Sequence, residues 1–225
     1  MIVNVKGVLN MKKSLYSVIL SDEVVAQIDR LAYKSNTNRS NMINQILAEY
    51  VSYTTPEKRM SQIFAGLENM LSPLDTFQTL LGNSLSVMNL RSSLDYKYNP
   101  SVRYSVELYR TPSDAIGEIK VSLRSQNSTL LLYLLQFYKL WSKIESGYLS
   151  DCECMIDGDK YVRKLKLHTD KQVSTEKLGE LIANYVKAFD SALKAFFYNI
   201  EEPRTATADV EEIYRNYITN CDVII

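Results

Sequence analysis

The spacing of apolar positions changes repeatedly along this chain, and each change predicts a new element. Ser14 to Leu20 reads as a short strand, ended by Ser21. Ser21 is a good N-cap, and Asp22 and Glu23 follow where the positive end of a helix dipole favours carboxylates. Val24, Ile28, Leu31 and Ala32 then fall at i, i+4, i+7 and i+8, one buried helical stripe. Ser35-Asn36-Thr37-Asn38 breaks the pattern, and Ile43, Ile46, Leu47 and Tyr50 restart it as a second helix.

Thr54-Thr55-Pro56 marks a boundary, because Pro suits the first turn of a helix and pushes the residue before it out of helical geometry. Glu57 to Leu71 reads as a helix with Met60, Ile63, Phe64, Leu67 and Leu71 on one side. Ser72-Pro73 restarts the pattern as a further helix from Leu74 to about Leu90. An antiparallel helical hairpin or one kinked helix fits both. Arg103–Tyr109 and Glu118–Arg124 alternate as half-buried strands do, with Thr111–Asp114 supplying the turn.

Asn127 to Leu149 is apolar over more than half its circumference, which predicts burial in the domain or across a subunit interface. Asp157-Gly158-Asp159 signals a hairpin turn ahead of a strand from Tyr161 to Leu167. Ser174 caps a long helix to about Ile200, Pro203 breaks it, and Asp209 to Thr219 forms a last short helix. The part after residue 55 thus predicts as α+β, about five helices over three or four antiparallel strands, and resembles no family.

A lone strand ahead of two helices has no partner for its ladder groups. The economical supplier is a second copy of the chain, giving a two-stranded antiparallel ribbon across a two-fold axis with four helices behind it. Two stretches carry a family resemblance: Leu20-Ser21-Asp22-Glu23, and Asn38-Arg39-Ser40-Asn41-Met42-Ile43 through Leu47-Ala48-Glu49-Tyr50-Val51. They resemble the ribbon-helix-helix family of DNA-binding proteins, which includes the Arc, MetJ and CopG repressors. The likeness covers about a fifth of the chain.

In that family the dimer lays its ribbon in the major groove, and the start of the second helix holds a phosphate. The resemblance therefore implies phosphate contact through the backbone of Arg39, Ser40 and Asn41, with the Arg39 side chain adding charge. If Tyr16, Val18 and Leu20 face the helices, Lys13, Leu15, Ser17 and Ile19 lie on the groove side. The family normally carries polar residues there, whereas only Lys13 and Ser17 can hydrogen-bond base edges here. Leu15 and Ile19 could touch thymine methyls, or another part of the protein could cover them.

Composition adds little to the DNA reading. Formal charge is zero, with 26 basic and 26 acidic residues. Residues 1–55 hold six Lys or Arg against four Asp or Glu, so bulk charge does not argue for nucleic acid and the motif must. Three Cys and no secretory leader suggest a reducing cytoplasm. No apolar run approaches the roughly 20 residues that cross a bilayer, so no membrane span is expected. Met11-Lys12-Lys13 looks like a start for the family, which would make the residues before it an extension or an added edge strand.

Candidate chemistry is sparse. His168 is the one histidine, which closes most zinc and triad options and speaks against a nickel-responsive regulator. Cys152 and Cys154 could hold a soft metal or sense oxidation, but without a second pair they read as ordinary residues near a strand. Tyr104 and Tyr109 beside Arg103 and Arg110 form the one aromatic and basic cluster. No phosphate loop is present.

The expected fold is mainly α, with an N-terminal ribbon-helix-helix over residues 12–55 after an extension over 1–11, and an α+β domain over 56–225. The expected function is a sequence-specific DNA-binding transcriptional regulator, a repressor acting as a homodimer on double-stranded DNA, without catalytic residues, metal or cofactor. The α+β domain would serve oligomerisation or bind a protein or small-molecule effector. Alternatives are an antitoxin or plasmid-maintenance accessory with a protein partner, and an enzyme with a C-terminal active site.

Overall fold

The structure is a computed structural model and describes residues 2–3 (backbone only), 15–80, 82, 84–168, 173–221, 223 and 225. Its elements, in chain order, are β1 (Ile2–Val3), α1 (Asp22–Lys34), α2 (Arg39–Tyr50), α3 (Pro56–Leu71), β2 (Phe77–Leu80), β3 (Val87–Ser93) and β4 (Ser101–Leu108). They continue with β5 (Gly117–Leu123), α4 (Ser128–Tyr148), β6 (Cys154–Asp157), β7 (Lys160–Leu165), β8 (Val173–Ser174), α5 (Thr175–Tyr198) and α6 (Pro203–Asn220). Among the described residues no helix is long and apolar enough to cross a membrane.

Local chemistry fixes the helix starts. The side chains of Ser21, Asn38, Thr55, Asn127 and Ser174 each accept a bond from a backbone N–H in the first turn of the helix that follows. Pro203 opens α6 instead of ending the helix before it, because a first-turn residue needs no N–H.

Six strands form one antiparallel sheet in the order β2-β3-β4-β5-β7-β6, and β1 pairs separately with β8. Strands β4, β5 and β7 alternate strictly, so one face of the sheet is buried and the other stays open. Helices α3 to α6 supply the cover. Their buried residues join the inner face in one cluster that runs from Met60 to Ile225.

The centre of that cluster is aromatic. Phe189 on α5 has the rings of Tyr104, Phe137, Tyr138, Trp141, Tyr161 and Tyr185 around it, at centroid distances of 5.1 to 6.3 Å. The polar ends of these rings find partners, as buried hydroxyls and indoles must. Trp141 Nε1 donates to Tyr185 Oη at 3.1 Å, and Tyr104 Oη donates to Asp190 Oδ1 at 2.8 Å.

One ion pair is fully enclosed. Arg163 Nε lies 2.9 Å from Glu145 Oε1, off the line of a good hydrogen bond, while Tyr161 donates to the other carboxylate oxygen. Arg163 Nη2 also donates to the Ile225 carbonyl at 2.6 Å, and its guanidinium lies 4.5 Å over the Tyr185 ring. Burial pushes the Glu145 carboxyl up and opposes the charge of Arg163. Each charge is tolerable only because the other is present.

The expected fold class is corrected. Among the described residues there are six helices, a six-stranded antiparallel sheet and the short β1–β8 pair, and the N-terminal ribbon is not seen. Residues 15–20 carry no strand; Lys13 and Ser14 lie outside the described residues. Among the described residues no strand pairs with residues 15–20, so no ladder forms there.

Two further expectations change. The helix expected from Leu74 to about Leu90 is instead β2 and β3, an antiparallel pair with Phe77 opposite Ser92. Gly82-Asn83-Ser84 in its middle favours a turn, while Phe77, Thr79 and Val87 favour strands. The last helix begins at Pro203, six residues ahead of Asp209.

Helices α3 and α5 meet at glycines. A Cβ on Gly179 would lie 2.3 Å from the Ile63 carbonyl oxygen and 2.8 Å from the Leu67 nitrogen, both rigid backbone. Gly179→Ala should therefore cost ~1–3 kcal/mol in urea unfolding, by forcing the two helices apart. Removing one member of the enclosed ion pair, as in Glu145→Ala, should cost ~3–5 kcal/mol. The double change Glu145→Leu with Arg163→Met should regain most of that loss, which the same titration measures.

Candidate functional site

The segment that carries the family resemblance folds into α1 and α2 with a small core of its own. Ile28, Ala32 and Met42 form it, and Ile43 packs against them. None of these residues belongs to the main cluster. An ion pair between Lys58 and Glu49, at 3.2 Å, links α2 to the start of α3.

This core takes up only part of the apolar surface that the sequence sets aside. Ile28 and Ala32 of the first stripe are buried, but Val24 and Leu31 are nearly half exposed. On α2 the expected stripe is largely turned outward: Leu47 is 58% and Tyr50 87% exposed, while Met42 and Ala48 are the buried residues. Among the described residues nothing covers this apolar face of two adjacent helices.

The sequence-predicted site residues fall in two places. Lys13 lies outside the described residues. Leu15, Ser17 and Ile19 are exposed ahead of α1, and so are Tyr16 and Val18, so neither side of the segment is turned inward. Arg39, Ser40 and Asn41 form the first turn of α2. The Asn41 N–H is used by the Asn38 cap at 2.9 Å, which leaves the N–H groups of Arg39 and Ser40 without a partner among the described residues.

The Arg39 side chain is not free. Its Nε and Nη2 donate to the two carboxylate oxygens of Asp29 at 2.7 and 2.6 Å, a bidentate pair that ties α2 to α1. Hydrogen bonding from Arg39 holds the Asp29 carboxyl below its ordinary range, and Asp29 in turn raises Arg39. Sequence reasoning missed Asp29, because a contact across ten positions and a chain break follows no helical spacing.

The larger part of the chain offers little classical chemistry. His168 Nδ1 lies 3.1 Å from Asp151 Oδ1, and burial lowers the histidine below its ordinary value. Burial, and then the charge of Glu145, pushes the Cys152 thiol up to about 12. A thiol held protonated is a poor metal ligand and a poor oxidation sensor. Among the described residues no cluster of three or more metal-binding side chains occurs.

The aromatic and basic cluster is divided by the strand. Tyr104 points into the core while Arg103 points out. Tyr109 donates to Glu118 Oε2 at 2.8 Å, and Arg110 pairs with Glu57 on α3. Glu118 also binds Lys120 at 2.7 Å and Lys164, so three donors converge on one carboxylate. Burial alone would raise Glu118, but these donors outweigh it and hold the carboxyl at about 2.

Fold and site define a chain of two parts, a two-helix unit with an uncovered apolar face and a two-layer α+β body. No family model, no curated protein and no solved structure matches it.

The Glu118 network sets an acid limit on the body. A depressed carboxyl stabilises the fold above its unfolded value, ordinarily 4.5, and loses that contribution as pH falls toward about 2. Thermal unfolding followed from pH 5 to pH 2 should fall less steeply in Glu118→Gln than in the parent chain.

Proposed function

We propose that this chain is a sequence-specific DNA-binding regulator of transcription that acts as a homodimer and represses by occluding a promoter. The observation that carries the reading is the uncovered face of α1 and α2. Burying a single Leu contributes ~1.5–3 kcal/mol, and Val24, Leu31, Ile46, Leu47 and Tyr50 stand ready for a second copy of the same unit. Pairing would also bring two copies of the segment from Leu15 to Leu20 into one assembly.

DNA as the partner is supported by the resemblance over residues 38–51 and by the unpaired N–H groups of Arg39 and Ser40 at the positive end of α2. Arg39 reaches a phosphate by leaving Asp29, so Asp29 competes with DNA for it. Ser17, and Lys13 ahead of it, are the side chains suited to base edges.

Selection of the intact chain on a random duplex library, with binding titrated at several salt concentrations, tests the reading. The expected product is a palindromic or repeated site bound by two chains. Arg39→Ala should weaken binding to all sequences alike and reduce the salt slope by about 1. Asp29→Asn, which releases Arg39, should tighten binding, whereas a merely structural pair would weaken it in both variants. Ser17→Ala should change preference among sequences. A chain that stays monomeric at tens of micromolar and enriches no sequence overturns the proposal.

A further inference from the structure

The open face of the six-stranded sheet carries an imbalance of charge that its own neighbours do not relieve. At one end Glu107 and Glu118 pair with Lys120 and Lys164. At the other end the register sets Arg91 directly opposite Arg103, then Ser122, then Lys160, along one row across β3, β4, β5 and β7. Arg124, the residue after β5, lines the same groove. Like charges placed directly opposite each other in a sheet repel.

None of Arg103, Arg124 and Lys160 has an ion pair among the described residues, and Arg91 donates only to the neutral Gln78 amide, at 2.5 Å. Asp157, the register partner of Lys160, is the nearest acid along the row and makes no ion pair with it. Three cations of the row, Arg91, Arg103 and Lys160, thus stand against Asp157 alone, while the other acids of the groove, Glu118 and Glu153, are already paired with Lys120, Lys164 and Lys166.

The groove over these strands has a volume of about 920 Å³, the size of a small-ligand site. Beside the cations, Val162 and the 58% exposed Met155 face each other as register partners and give the floor an apolar patch. The dimensions argue against duplex DNA: six strands about 4.8 Å apart span roughly 24 Å, twice the width of a major groove. The row carries no aromatic side chain, so the stacking platform of a single-strand binder is missing.

We propose that this groove binds a small organic polyphosphate of nucleotide size, with Arg103, Arg124 and Lys160 holding the phosphates and Met155 and Val162 receiving the apolar part. Guanidinium groups match phosphate oxygens in pairs, and a polyanion would relieve the repulsion between Arg91 and Arg103. The site stands apart from α1 and α2 and does not rest on the DNA reading.

Calorimetric titration of the intact chain with inorganic triphosphate and with ATP, at physiological ionic strength, tests it. Triphosphate should bind at one per chain, with ATP tighter through its ring. Arg103→Gln with Lys160→Gln should weaken both at least about tenfold. Lys139→Gln with Lys143→Gln, on the exposed side of α4, should leave both unchanged. In ligand-free protein at low salt, Arg103→Gln should raise the melting temperature, because it removes a repelling neighbour of Arg91.

Failure of triphosphate to bind at about 1 mM overturns the site, as does equal weakening by the two double variants. ATP no tighter than triphosphate overturns the apolar half. Tight binding of a duplex that ATP displaces, and that Arg103→Gln with Lys160→Gln abolishes, would make the face a nucleic-acid surface instead.

Discussion

The packing of α5 against the sheet is the constraint from which the larger part of the molecule follows. Phe189 can be ringed by six aromatic side chains only if β4, β7, α4 and α5 hold one fixed arrangement. Buried side chains occupy most of the length of α5, so this helix keeps only a narrow solvent stripe, at Asn184, Lys187 and Ser191, over its middle turns. The open side of the sheet is the counterpart: with every helix of the body committed to one face, the strands must place their polar residues on the other.

Two enclosed polar systems set the register of this core more sharply than apolar packing does. Tyr104 reaches Asp190, which also accepts from Lys194 at 2.6 Å, and Lys194 reaches Ser92 on β3. Slipping β4 by one residue would turn Tyr104 outward and leave Asp190 short of a partner in a dry site. The Glu145 and Arg163 pair does the same between α4 and β7. By contrast the α1 and α2 unit rests on four buried side chains, Ile28, Ala32, Met42 and Ala48, and one bidentate pair at its surface, too little to order a free-standing fold.

Much of this arrangement was legible in the sequence because caps and periods are local. Ser21, Ser174 and the helices they open lie where side-chain chemistry puts them, as does the hairpin turn around Gly158, whose φ is +58°. The segment from Leu74 to Leu90 was not legible, since a short apolar run suits a helix or a strand until its neighbours are known. The breadth of the sheet depended on that same ambiguity, as β2 and β3 come from it. The exposure of Leu47 and Tyr50 follows from which few residues close the small core, and periodicity alone does not say that. Nor does it align Arg91 with Arg103, because cross-strand rows depend on register between segments.

The sheet ends in β2 on one side and β6 on the other, four residues each. A border that short offers a foreign strand a ladder of roughly 13 Å, and Asp157 puts a charge on one of the two. Each flank is therefore a poor template for edge-to-edge growth, even though the middle strands are long and rich in Val and Leu.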